Sequence, residues 1–225
     1  MRFVYYRMLD KRALLFDFDY TLADSSEAIV ECFNHAFKSC GLPTVPPEKI
    51  YPLIGISLPE SFKLLNKVTE PVIVDELRLH FRTRGDQIAL EMTHLYDATK
   101  EVIPSFHRSG YRLGIVSTKY SYRIMAVLKR HNLDRYFDEI VGGGDVEKHK
   151  PHPEGLHLIL ERMDLNRDEA VYIGDSTADA EAAQSAGLDF MAVLTGVTGR
   201  EKLSNYAPLA IVENLNDLKQ LIMQA

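Results

Sequence analysis

The sequence predicts an α/β fold: a parallel, doubly wound, Rossmann-like sheet with a small helical domain inserted near its start. Three observations lead there. Short apolar runs of strand length recur along the chain, helical patterns lie between most of them, and one interval of about 75 residues after the first run carries helical patterns alone. Strands alternating with helices at this spacing define a parallel sheet covered on both faces.

The strands read in order as ALLFD (13–17), YRLGIVS (111–117), AVYIGD (170–175), DFMAVL (189–194) and a weaker LAIV (209–212). Continuous apolar runs, unlike alternating ones, are what strands buried on both faces show. Helical patterns occupy 98–109, 121–131, 153–163 and 176–186. The interval after the first strand carries helical patterns at 25–40, 47–54, 58–67 and 71–91. The first of these begins at Asp24-Ser25-Ser26, a capping sequence, and ends before Gly41 and Pro43. The expected division is a catalytic core of residues 1–21 and 94–225 and a helical domain of 22–93. No internal repeat or low-complexity tract is present.

Composition narrows the class. The 225 residues carry a formal net charge of −6, with 46% hydrophobic and 26% charged residues. No basic stripe of the kind a nucleic-acid binder shows is present. No run approaches the roughly 18 apolar residues of a membrane span. In the N-terminal MRFVYYRMLDKR, charges at Arg2, Arg7, Asp10, Lys11 and Arg12 interrupt any secretory apolar segment. Cys32 and Cys40 fall in one predicted helix, about 12 Å apart at 1.5 Å per residue. That is beyond the roughly 7 Å a disulfide allows, so both read as free thiols and the expected compartment is the cytoplasm.

Chemistry is written at the strand ends, where such sheets bind ligands. Asp17 and Asp19 follow the first strand one residue apart, and a period of two would point both to one site. Buried carboxylates without partners are costly, so they imply a cation; oxygen ligands suit Mg²⁺. Ser117 ends the second strand and Thr118 follows it, where a hydroxyl and the following backbone N–H groups can hold an anion. Lys150, or Lys148, precedes a helix. Asp175 ends the third strand and Asp179 lies one helical turn on. Carboxylates, metal, hydroxyl and lysine at one crevice are the parts phosphoryl transfer uses.

Each part also has an ordinary reading. Asp17 and Asp19 suit a turn, Ser176 with Asp179 suits a helix cap, and Lys150 taken singly is one solvated lysine among many. Gly142-Gly143-Gly144 lacks the Lys-Ser/Thr of a nucleotide loop and reads as a flexible turn. His149, His152 and His157 are too irregularly spaced for a zinc site and read as surface histidines. Arg82 and Arg84 in FRTRGD read equally as anion contacts or as a solvated helix end. Ile54-Gly55-Ile56-Ser57 reads as core packing or as a loop touching substrate.

Taken together, DFDYT, the Ser of VSTK, the Lys of KPHPE and GDSTAD stand in the order of the four motifs of the haloacid dehalogenase-like hydrolase superfamily. The chain resembles that family over residues 12–223, and within it the phosphoglycolate phosphatase group. The insert resembles the family's helical cap. The resemblance implies Asp17 as nucleophile forming an aspartyl-phosphate and Asp19 as general acid, then base. It implies phosphoryl binding by Ser117, Thr118 and Lys150. It implies a Mg²⁺ held by Asp17, the carbonyl of Asp19, and Asp175, with Asp179 orienting the site behind them. It makes the substrate a small phosphorylated metabolite. A sugar-phosphate mutase or a non-catalytic phosphometabolite sensor on the same scaffold are the alternatives. An acid at Asp19 points to phosphate esters, since the dehalogenase branch lacks one there. Most relatives have glycine where this chain has Tyr20; a tyrosine predicts ordinary backbone there, with its ring at the mouth of the site. Selectivity is expected from Tyr20, Arg82 and Arg84.

Overall fold

A computed structural model describes residues 7–8 and 10–224. Residues 1–6, part of the segment whose charges argued against a secretory signal, lie outside them.

Six strands form one parallel sheet: β1 (Ala13–Phe16), β4 (Arg112–Val116), β5 (Glu139–Val141), β6 (Ala170–Gly174), β7 (Asp189–Val193) and β8 (Ala210–Val212). Their order across the sheet is β5-β4-β1-β6-β7-β8, and every neighbouring pair is parallel. β1 is central, in register with Arg112–Ile115 on one side and Ala170–Ile173 on the other. Side chains alternate across the sheet. Leu14, Phe16, Ile115 and Ile173 therefore enter one apolar core, and Ala13, Leu15, Val116 and Tyr172 the other. Burial of all four β1 residues on both sides explains why its sequence is an unbroken apolar run.

The chain leaves this core through β2 (Ala23–Asp24) and returns through β3 (His94–Leu95), which pair antiparallel. Between them lie α1 (Ser26–Ser39), α2 (Pro47–Ile50) continuing as a 3₁₀ turn over Tyr51–Leu53, α3 (Leu58–Asn66) and α4 (Pro71–Ile88). Prolines at 47, 59 and 71 stand in the first turns of α2, α3 and α4, where a missing N–H costs nothing. The insert has its own core of Phe33, Phe37, Phe62, Leu77 and Phe81. Phe33 meets Phe81 edge to face at 4.9 Å and Phe62 at 5.7 Å.

The remaining helices cover the sheet: α5 (Asp97–Arg108), α6 (Ser121–Arg130), α7 (Glu154–Arg162), α8 (Thr177–Ala186), α9 (Arg200–Ser204) and α10 (Leu215–Met223). α5, α6 and α10 pack on one face; α7, α8 and α9 on the other. The five strands and four interleaved helices expected from sequence are present, with ends moved by one or two residues. β5, α9 and α10 were not expected. β5 is a three-residue edge strand, only half-buried, and too short to show a periodicity. Among the described residues no helix is long and apolar enough to cross a membrane.

Candidate active site

The DFDYT stretch is a tight turn rather than a continued strand. β1 ends at Phe16, and the Phe18 carbonyl accepts from the N–H groups of Thr21, Leu22 and Ala23. Tyr20 sits at φ +63°, in the left-handed region, so the expectation of ordinary backbone there is corrected. A side chain in that region is disfavoured by about 1–2 kcal/mol. Local anchoring supports it here: the Tyr20 N–H donates to the Ala23 carbonyl at 2.7 Å, and its own carbonyl accepts from Thr195 Oγ1. The ring is buried rather than standing at a site mouth, which is the second correction. Burial also pushes its hydroxyl up to about 12.

The turn gives the two aspartates different partners. Asp17, 2% exposed, lies 2.8 Å from Lys150 Nζ. That contact makes no hydrogen bond, and Asp17 Oδ1 has no other hydrogen-bond partner among the described residues. Asp19 instead accepts from Lys119 at 2.9 Å and from the Ser25 hydroxyl. Lys119 also donates to Ser25 Oγ at 3.0 Å and sits over the Phe18 ring. Lys119 and Ser25 were not singled out in the sequence, although Lys119 closes the VSTK motif.

Lys150 is buried and Lys148 exposed, which decides between the two. Lys150 donates to Asp179 at 2.5 Å and to the Tyr172 hydroxyl at 3.1 Å. Asp179 is fully buried and its oxygens are all engaged: Oδ1 by Lys150 and Tyr172, Oδ2 by the Ser176 N–H and hydroxyl. Ser176 with Asp179 forms the capping box of α8. Asp175 is buried against Thr21, which donates at 3.2 Å. Asp17, Asp175 and Asp179 bring carboxylate oxygens within 4.8 Å of one another. Ser117 is buried beside them at the end of β4, and Thr118 follows.

Charge counting describes this cluster. Lys119 balances Asp19. One ammonium, Lys150, faces three carboxylates, leaving two negative charges uncompensated. Burial pushes the Asp17 carboxyl up to about 7, against Lys150. Burial, then repulsion by Asp179 and Asp17, holds Asp175 well above the carboxylate range. Burial works against the Lys150 charge too, but Asp17 and Asp179 outweigh it and raise its pKa. A dication beside Asp17 Oδ1 and Asp175 would satisfy both the orphaned oxygen and the charge deficit, and the donors there are oxygens only.

Glycines press against these parts. A Cβ at Gly196 would stand 1.8 Å from Asp175 Oδ2, and one at Gly174 2.5 Å from the Asp179 carboxyl carbon. Gly142 and Gly143 would meet the backbone of Ser121 and Thr118 at 2.3 and 2.2 Å. The triple glycine is thus a close-packing device behind the Ser117–Lys119 loop.

A cavity of about 270 Å³ lies between insert and core, open to Asp19, Thr118 and Lys119. Its apolar wall includes Ile29, Phe33, Ile54 and Phe81 of the insert. Its cations are Arg78, Lys119 and Arg123. Arg82 and Arg84 do not line it: Arg82 is exposed, and Arg84 donates to Glu31 at 2.7 Å and to Gln87. α4 turns them away, while Arg78 lies one turn nearer the loop of Ile54–Ser57, which does line the cavity. His152 and His157 are exposed, but His149 is a half-buried wall residue whose Nδ1 has no partner among the described residues, so it is not a surface histidine.

Strand-end carboxylates and a buried lysine beside a helical insert are the parts that a phosphoryl-transfer hydrolase of the α/β class uses. The family model described as haloacid dehalogenase-like hydrolase matches residues 14–193, and the chain belongs to that family. It is 35% identical over 214 residues to pyrophosphatase PpaX of Listeria monocytogenes, covering 93% of this chain and 95% of that one. A haloacid dehalogenase-like hydrolase from Bacteroides fragilis is 38% identical, with a TM-score of 0.89 over 92% of this chain and 99% of the other. A structure from Haemophilus somnus, described as a predicted phosphoglycolate phosphatase, shares the fold at 22% identity and a TM-score of 0.80, over 95% and 99% of the two chains. The chain is accordingly an enzyme, a phosphatase of this family.

Proposed function

We propose that the protein is a Mg²⁺-dependent phosphatase that hydrolyses a small phosphorylated metabolite through an aspartyl-phosphate on Asp17. The observation that carries this reading is the buried Asp17–Lys150 pair with Asp17 Oδ1 otherwise unpartnered, two negative charges in excess around it. The sheet residues and the insert divide the work between 1–21 with 94–225, the catalytic core, and 22–93, a cap over the cavity.

Asp17 Oδ attacks phosphorus; the Asp17 O–P bond forms as the bond to the leaving oxygen breaks. Asp19 gives its proton to that oxygen. Lys150, Ser117 and the N–H groups after it hold the phosphoryl oxygens. Water then attacks phosphorus, its proton passes to Asp19, and inorganic phosphate leaves with Asp17 regenerated. Asp17, the Asp19 carbonyl and Asp175 would hold Mg²⁺, which when bound cancels the repulsion between a carboxylate nucleophile and a phosphate dianion. Asp179 holds Lys150 in place. The name of the Listeria relative makes pyrophosphate a first compound to try, and the fold neighbour makes phosphoglycolate a second. Two free cysteines suit a reducing cytoplasm.

The test is mass spectrometry after acid quench of the Asp19→Asn protein with a phosphorylated substrate and Mg²⁺. A phosphate adduct on the peptide holding Asp17, together with phosphate release by the unsubstituted enzyme, is expected. Turnover without an adduct on that peptide in any variant would remove the covalent reading.

A further inference from the structure

Resting on that phosphatase reading, the geometry points to Arg123 as the residue that selects substrate: it binds a second oxyanion on the leaving group. Arg123 belongs to the first turn of α6 in the core, yet its guanidinium reaches the insert and lines the cavity that opens on Asp19. It is 8% exposed. A buried guanidinium needs its donors used. Nε donates to Asp86 Oδ1 at 2.9 Å, and Nη2 to the same oxygen at 2.8 Å and to the Arg82 carbonyl at 2.6 Å. Nη1 donates to no group among the described residues. Tyr120 and Tyr122 lie 5.4 and 5.6 Å from the guanidinium carbon, so the head is fixed on its other sides.

The insert makes room for this head. Nη1 would stand 2.5 Å from a Cβ at position 85, and the residue there is Gly85, in the last turn of α4, where glycine still weakens a helix by up to about 1 kcal/mol. Gly85 and Arg123 line the same cavity as Asp19. Asp19 is the group that protonates the leaving oxygen, so the cavity is where the leaving group lies. A guanidinium edge with two unused N–H donors, preoriented and half-desolvated, fits a carboxylate or a phosphate. Leaving groups without a second oxyanion leave that edge unpaired.

Pyrophosphate and phosphoglycolate each carry such a group, a phosphate in one and a carboxylate in the other; p-nitrophenyl phosphate carries none. The experiment measures kcat/KM for all three with the full-length enzyme and Mg²⁺. For Arg123→Gln, the ratio of an anionic-leaving-group substrate to p-nitrophenyl phosphate should fall by roughly 100-fold, the loss expected on truncating one partner of a buried charge pair. Gly85→Ala keeps the charge and pushes Nη1 aside, so the same ratio should fall by a smaller factor; this variant serves if Arg123→Gln does not fold. Asp86→Asn weakens the insert–core contact but leaves Nη1 in the cavity, and the ratio should hold within about threefold. A fall for pyrophosphate alone assigns a phosphate, for phosphoglycolate alone a carboxylate. If Arg123→Gln and Gly85→Ala lower all three substrates equally, Arg123 only holds the insert to the core and the inference is wrong. An unsubstituted enzyme that favours neither anionic substrate over p-nitrophenyl phosphate overturns it as well, with the phosphatase reading intact. No turnover of any phosphate overturns the phosphatase reading itself.

Discussion

Removing the metal should make the protein less stable as pH rises through the acid and neutral range. Burial moves the Asp17 carboxyl from its ordinary 3.8 to about 7, with Asp175 raised beside it. Between those values the folded state holds a proton that the unfolded chain releases, so stability falls as pH rises and levels above about 7. A move of that size amounts to about 4 kcal/mol in all, at roughly 1.4 kcal/mol per tenfold change in proton affinity. Of this, about 2–3 kcal/mol falls between pH 5 and pH 8, because part is already lost below pH 5. At about 2–4 °C per kcal/mol for a chain of this length, Tm in EDTA should drop by about 5–10 °C across that range. Asp17→Asn has no proton to release there and should flatten the profile, and saturating Mg²⁺ should flatten it for the unsubstituted protein. The assay is a thermal melt by circular dichroism at four pH values, with EDTA and with Mg²⁺. Parallel profiles for the unsubstituted and Asp17→Asn proteins in EDTA would refute the reasoning.

Other substitutions separate the parts. Asp17→Asn should abolish turnover, while Asp19→Asn should slow it by about 10²–10⁴-fold, read by phosphate release. Gly196→Ala places a Cβ on the Asp175 carboxylate and should raise the Mg²⁺ concentration for half-maximal activity by about 10–100-fold, with little change in Tm. Phe33→Ala removes a ring that touches three others in the insert and should cost about 3–5 kcal/mol in urea unfolding. Hydrogen exchange in that variant should rise within 26–88 before it rises in the sheet, because the insert's core is separate.

The strands that were legible in the sequence are those whose burial is complete. β1, β4, β6 and β7 are apolar on both faces, so their runs are unbroken; β5 is half-polar and three residues long, and no pattern of that length rises above chance. The motif residues at the strand ends could be named because topology alone carries strand ends to one edge. What could not be read are the groups that chain folding brings in from elsewhere. Tyr172 points inward from the middle of β6 to Lys150, and nothing in AVYIGD distinguishes it from a core tyrosine. Arg123 looks like one polar residue in an amphipathic helix, and Arg82 and Arg84 look more exposed to ligand than it does. Only the side to which α4 turns, set by packing of Leu77, Phe81 and Gly85, decides which arginine meets the cavity.

The two aspartates of the opening motif lie one residue apart, yet the turn at Tyr20 and the two lysines make their environments unlike. Asp17 faces Lys150 inside a cluster with surplus negative charge, and its Oδ1, beside Lys150 but without a hydrogen bond, is open to a cation or a phosphorus atom. Asp19 faces Lys119 alone and is held by the hydroxyl of Ser25, the residue just before the first insert helix. In the reaction we propose, Asp17 as nucleophile has to be unprotonated and short of partners, and Asp19 as proton carrier has to be held in position and reach the leaving oxygen. The backbone at Tyr20 is what permits both: a left-handed residue one position after Asp19 reverses the chain at once, so that Asp19 opens to the cavity while Asp17 stays under the sheet edge. Glycine would make that turn at no conformational cost. The buried tyrosine ring makes it against a penalty of about 1–2 kcal/mol, and its packing with the Thr195 hydrogen bond holds the turn in place.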